Sequence, residues 1–167
     1  KTQQEIGILT TFFLMYVFVW VVYNLLIFTR FGLLGSVSES HLKLKKLNPK
    51  YGIIFTLFSW LYAIPAMIIA ETGLMFFAGG FICLVGVAAD YKQGLDKIWH
   101  GRFAIFAVLL SQISINFDFH NYFISLISIL LMMIIFLFRK KLESYIYWIE
   151  QVSWLAVGVV LYINKIV

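Results

Sequence analysis

Apolar residues fill this chain in long blocks, and the charged residues fall between them. Uncharged stretches run over residues 6–29, 51–70, 72–89, 103–117, 119–138 and 145–164, the last broken only by Glu150. Each approaches the roughly 20 residues that carry a helix, at 1.5 Å per residue, across a hydrocarbon layer of about 30 Å. The fourth is short, and continuing its helix back through Trp99 to Arg102 extends it to 99–117, with Arg102 snorkelling to the headgroups. The pattern therefore predicts an all-α, polytopic membrane protein, a single six-transmembrane-helix bundle over residues 1–167. Glu71, Thr72 and Gly73 alone part the second and third stretches, and Asp118 to Asn121 part the fourth and fifth. Connections that short make antiparallel hairpins. Pro49 precedes the second stretch, where a first-turn proline is harmless, and Pro65 lies inside it and is expected to kink it. The first stretch has no cationic leader or small-residue cleavage site and reads as a retained span.

Composition agrees with lipid as the solvent. The chain is 62% hydrophobic and 13% charged, where a soluble domain carries about a quarter charged residues. One core cannot bury that excess. The sole cysteine, Cys83, lies inside the third stretch and excludes an internal disulfide. Charge then orients the bundle. With six alternating spans, residues 30–50, 90–102 and 139–144 share one side, and these segments hold eleven of the thirteen Lys and Arg residues. Short loops rich in Lys and Arg resist translocation, so this side should be cytoplasmic and both termini non-cytoplasmic. The net charge of +5 is thus a topology signal, and no motif calls for nucleic acid.

The polar residues within this frame are few. In the third stretch Gly79, Cys83, Gly86 and Asp90 fall within about 60° of one another at 100° per residue. Small side chains so placed let helix backbones approach closely in lipid, which marks this helix as central. Asp90 ends the stripe at a helix C-terminus, where the macrodipole disfavours a carboxylate, so a cation is expected beside it, from Lys92, Lys97, His100 or Arg102. Asn24, Gln112 and Asn116 suit interhelical hydrogen bonds. Glu150, in the first turns of the last span beside Tyr145, Tyr147 and Trp148, can reach a loop lysine.

The segment "GSVSESHLKLKKLNPKYG", residues 35–52, is the longest polar run. Lys43, Lys45 and Lys46, with Arg102, Arg139, Lys140 and Lys141, read as contacts to lipid headgroups, each worth about 1 kcal/mol at an anionic surface. Leu42, Leu44 and Leu47 do not form one clean helical face, and Ser38 or Ser40 would cap a short interfacial turn. A sharper reading gathers Ser38 or Ser40 as nucleophile with His41, Asp90 and His100 at the basic end, since a hydroxyl nucleophile needs a base and a group to orient that base. Zinc held by three histidines is disfavoured, because His120 falls on the opposite side from His41 and His100. No cofactor or metal is expected.

The stretches "GSVSES", "FTLFSWLYAIPAMIIA", "GLMFFAGGFICLVGVAADYK" and "WHGRFAI", within residues 30–115, resemble six-span proteins of gut bacteria and their phages. That resemblance implies a fold without an assigned activity, in a bacterial inner membrane. More remotely, a serine after one span, an aspartate ending a later one and a histidine opening the next are similar to the ceramidase and progestin-receptor-like membrane hydrolases. Ser38, Asp90 and His100 are the matching positions, while that family's paired histidines in the last helix have no counterpart between Ser144 and Val167. Three functions stay open: a non-catalytic membrane protein working through lipids or other membrane proteins as partners, a lipid amide or ester hydrolase, and a small transporter or pore.

Overall fold

Helix α1 (Gln3–Phe31) begins at a reciprocal cap, in which the Thr2 hydroxyl accepts the Glu5 amide at 3.3 Å and the Glu5 carboxylate accepts the Thr2 amide at 2.8 Å. It ends at Gly32, whose φ of +72° suits a residue without a side chain. The computed structural model describes residues 2–88 and 95–167, and of residues 95–97 only the backbone. After α1 come α2 (Glu39–Leu47), a 3-10 turn at Pro49–Tyr51, α3 (Gly52–Ala70), α4 (Gly73–Ala88), α5 (Leu95–Phe117), α6 (Tyr122–Leu137) and α7 (Tyr145–Leu161), which closes in a π turn at Tyr162–Ile166. The described residues hold no strand.

Among the described residues four segments, Gln3–Phe31, Pro49–Ala70, Ile98–Phe117 and Tyr145–Ile166, are long and apolar enough to cross a membrane; α6, at 16 residues, and the 16 described residues of α4 are apolar but shorter. Helix α5 is already formed at Leu95, one turn before the Trp99 expected from the sequence. The fifth apolar stretch is helical over fewer residues than expected because the chain turns through 118–121, with His120 at φ +53°, before α6 can begin. Large apolar side chains point outward along the bundle, among them Leu14, Phe18, Phe77, Phe123 and Leu155. A surface of that kind suits hydrocarbon rather than water.

The helices alternate in direction, and side-chain contacts fix which ends lie together. At one end Lys165 pairs with Glu71 at 3.0 Å, Thr72 meets Ser114 at 3.4 Å, and the ring of Phe13 lies 5.5 Å from that of Tyr162. At the other end the loop after α1 meets the start of α7, where the Tyr147 amide donates to the Gly35 carbonyl at 3.0 Å. That second end carries Arg30, Lys43, Lys46, Lys50, Arg139, Lys140 and Lys141; Lys92 and the Lys97 side chain lie outside the described residues.

The core is an aromatic column. Helix α1 buries Leu9, Tyr16, Tyr23 and Ile27, positions that share one face at 3.6 residues per turn. Against them α3 presents Phe55, Phe58 and Tyr62, and α7 presents Trp154. Tyr23 stacks on Phe58 at 3.8 Å, Tyr16 on Tyr62 at 4.5 Å, and Trp154 lies 4.8 Å from Tyr62 and 5.4 Å from Phe58. Offset aromatic pairs of this kind add about 0.5–1.5 kcal/mol each beyond the area they bury.

The central helix is therefore α3, touched by α1, α2, α4 and α7, and not α4 as the stripe of small residues suggested. One face of α4 packs on α3 and α5, while Phe76, Phe77, Leu84 and Val87 face outward. The stripe itself meets α3 closely. A Cβ on Gly86 would come within 2.8 Å of the Ser59 Cβ, and one on Gly79 would collide with the Met67 side chain. Helix α3 also bonds the α4 backbone, Thr56 donating to the Gly86 carbonyl at 2.9 Å and the Trp60 indole to the Cys83 carbonyl at 3.2 Å. Helix α3 runs without interruption through the buried Pro65.

Candidate functional site

The basic end is where the sequence placed its candidate chemistry. Its first builder is the loop of residues 32–38, which folds back over the bundle because polar groups of α2 and α7 hold its backbone. The Glu150 carboxylate of α7 accepts the Val37 amide at 2.7 Å, and the Glu39 carboxylate accepts the Gly35 amide at 2.8 Å. The partner of Glu150 is thus a backbone N–H and not the lysine expected from the sequence. An amide buried in such a loop needs an acceptor, and an ionisable group at a helix N-terminus supplies a strong one.

The second builder is α2, which the sequence showed only as an interfacial turn. Ser38 stands at its N-cap position but makes no capping bond; Ser36 takes that role, its hydroxyl accepting the Glu39 amide at 3.2 Å. The backbone at Ser38 is already helical, with φ −67° and ψ −21°, so its side chain cannot reach back as a cap does. The Ser38 hydroxyl instead meets that of Ser36 at 3.1 Å. Ser40, fully buried, donates to the Val37 carbonyl and shares a hydrogen bond with the Tyr23 hydroxyl of α1.

His41, 1% exposed, packs edge-on against Phe55, and its Nδ1 lies 3.0 Å from the Gly52 carbonyl. Gly52 is needed there, since a Cβ at that position would lie 2.9 Å from the His41 ring. The opposite face of α2 exposes Leu42, Lys46 and Leu47, and Lys43 forms a loose 3.7 Å pair with Glu39.

Across the same end stands His100, half-buried near the start of α5 and close to the Val85 backbone of α4. Its Nδ1 has no hydrogen-bond partner among the described residues. Asp90 lies outside them. The structure thus brings His41 and His100 to one end, commits Ser40 to Tyr23 and Val37, and leaves Ser38 beside Ser36. Arg102 is exposed, with its guanidinium 4.9 Å from the Trp99 ring. His120 occupies the α5–α6 turn at the opposite end. Among the described residues no group of three His, Cys, Asp or Glu side chains is placed to hold a metal ion.

Deeper polar groups tie helices together. The Asn24 carbonyl accepts both the Tyr147 hydroxyl and the Gln151 amide at 2.9 Å, joining α1 to α7. The Gln112 carbonyl accepts Ser128 at 2.8 Å, and Asn116 donates to Ser125 at 2.8 Å, joining α5 to α6. Tyr16 donates to the Trp154 carbonyl at 2.9 Å and receives the Tyr62 hydroxyl at 2.6 Å. Beside Tyr62, Ser111 and Ser153 lies a pocket of about 40 Å³, large enough for a water molecule. Tyr16, Tyr23, Tyr62 and Gln151 carry much of this polar framework, and nothing marks them in the sequence beyond their being polar atoms within apolar stretches.

Compared with protein-family models, with curated proteins and with solved structures, the chain matches none.

Proposed function

We propose that this chain is a six-span membrane protein that acts through lipid and protein contacts at its basic end rather than by breaking bonds. In this reading α4 and α6 cross the bilayer with the four longer helices, in a bacterial inner membrane, and both termini lie on the non-cytoplasmic side. The observation that carries it is the state of the candidate nucleophiles. The Ser40 proton goes to the Val37 carbonyl and the Ser38 hydroxyl to Ser36, so neither is paired with a histidine, as an activated hydroxyl requires. Lipid contact is supported by the outer face of α2, where Leu42 and Leu47 can dip among acyl chains while Lys43 and Lys46 meet phosphates. The second reading, a lipid hydrolase, draws on His41 and His100 standing at the same end.

Purification in a mild detergent, mass spectrometry of everything retained, and incubation with phospholipids and ceramides test the two together. Intact lipids or a membrane-protein partner should co-purify, and the incubated lipids should come back unchanged. Fatty acid released by the wild type and abolished by Ser38→Ala or His100→Ala would overturn the proposal in favour of hydrolysis.

A further inference from the structure

Helices α5 and α6 leave their hairpin in contact and then part. Near the turn they are pinned by Asn116 to Ser125 and by Ser128 to Gln112. Beyond Gln112, towards the basic end, α6 leans on α7 instead. The parting opens a groove of about 440 Å³ lined by Val108 and Leu109 of α5, Met132, Met133 and Phe136 of α6, and Ile149 of α7. That volume falls in the range of about 300–1,000 Å³ typical of small-molecule sites. Apart from Gln112 at its closed end, the lining is apolar, so the occupant is hydrocarbon. In a bilayer an unfilled wedge forfeits dispersion contacts on every wall, and the two methionines, unbranched and pliable, adjust to a flexible filler.

The open end identifies what the hydrocarbon is attached to. Phe136 lines the groove, and the Arg139 guanidinium sits 4.3 Å from the centre of its ring while donating to the Phe136 carbonyl at 3.3 Å. Lys140 and Lys141 follow, both exposed, and Glu143 is the only acidic residue of the 138–144 connection. None of the three cations forms an ion pair among the described residues. A greasy slot that opens beneath three unpaired cations has the charge pattern of an anionic amphiphile. A partner helix would fill it only by bringing carboxylates to the same height.

We propose that this groove holds one acyl chain of an anionic phospholipid, whose phosphate is received by Arg139, Lys140 and Lys141. This deepens the lipid-contact reading given above and rests on it.

Native mass spectrometry tests the site, on detergent-purified chain exposed to equal amounts of palmitoyl-oleoyl phosphatidylglycerol and phosphatidylcholine. The wild type should retain one phosphatidylglycerol in preference to phosphatidylcholine. Replacing Arg139, Lys140 and Lys141 by Gln should lower that preference by about ten- to a hundredfold. Met133→Trp fills the groove from α6 and Leu109→Trp from α5, and either should abolish retention of the single lipid. Gel filtration and circular dichroism identify which of the two remains folded. Lys50→Gln, at the exposed 3-10 turn before α3, should leave it unchanged. Equal retention of the two lipids by the wild type, retention by a folded groove-filling variant, or loss only with the Lys50 variant overturns the proposal. Failure of the broader reading looks different: fatty acid or lysolipid masses in place of intact lipid.

Discussion

Gly79 and Gly86 lie on the same helix face and abut the same neighbour, yet their surroundings differ in what can move. At Gly79 an added methyl group meets the end of Met67, a flexible side chain that can swing aside. At Gly86 it meets the Ser59 Cβ at 2.8 Å and the Thr56 Cα at 3.4 Å, atoms fixed to the α3 backbone. Gly86→Ala should therefore destabilise the fold by about 1–3 kcal/mol, the usual range for overpacking, and Gly79→Ala by clearly less. Unfolding titrated with SDS in mixed micelles reads the difference; equal midpoints for the two variants would show that helix α4 simply shifts to accommodate either. The stripe was legible in the sequence because its period is that of a helix. What it packs against was not, since nothing in the residues themselves says that Ser59 and Thr56 face it. The serines of residues 36–40 were misread for a related reason. Which hydroxyl caps a helix depends on the backbone angle at Ser38, and five neighbouring positions offered three serines.

At the scale of elements, the loop of residues 32–38 and α2 are held by bonds between residues far apart in the chain. Glu150 and Val37 are 113 positions apart, which no local pattern reveals. Leu42, Leu44 and Leu47 do not align as a helix face because Ser40 and His41 share the inner surface with Leu44, so the helix hid behind its polar core residues. Glu150→Leu removes the acceptor and leaves the Val37 amide buried and unpaired, a loss of about 1–3 kcal/mol. Glu150→Gln keeps a carbonyl oxygen in the same place and should cost less than half as much. Hydrogen exchange at residues 35–40 is the direct measurement: exchange should quicken strongly in the Leu variant and little in the Gln variant. The same exchange rate in both variants as in the wild type would mean that the loop is held by Tyr147 and Glu39 without Glu150.

For the whole molecule, the run of apolar blocks and the gathering of basic residues at one end were readable at once, because lipid imposes length and sidedness directly on the sequence. The aromatic column was not, since Tyr, Phe and Trp serve equally well facing lipid or facing one another. The six-span arrangement predicts the outcome of cysteine labelling in a Cys83→Ala background with a membrane-impermeant maleimide. Thr72→Cys and His120→Cys should label from one surface, and Lys46→Cys and Lys140→Cys from the other. Labelling of Thr72→Cys and Lys46→Cys from the same surface would leave α3 uncrossed and end the arrangement. If the labels fall as expected, the brevity of α6 acts on the membrane itself. Its sixteen residues at 1.5 Å each extend about 24 Å, against about 30 Å of hydrocarbon. The flank it forms would pinch the two leaflets together by several ångströms, and the resulting elastic penalty would sort the protein into the thinner regions of its host bilayer.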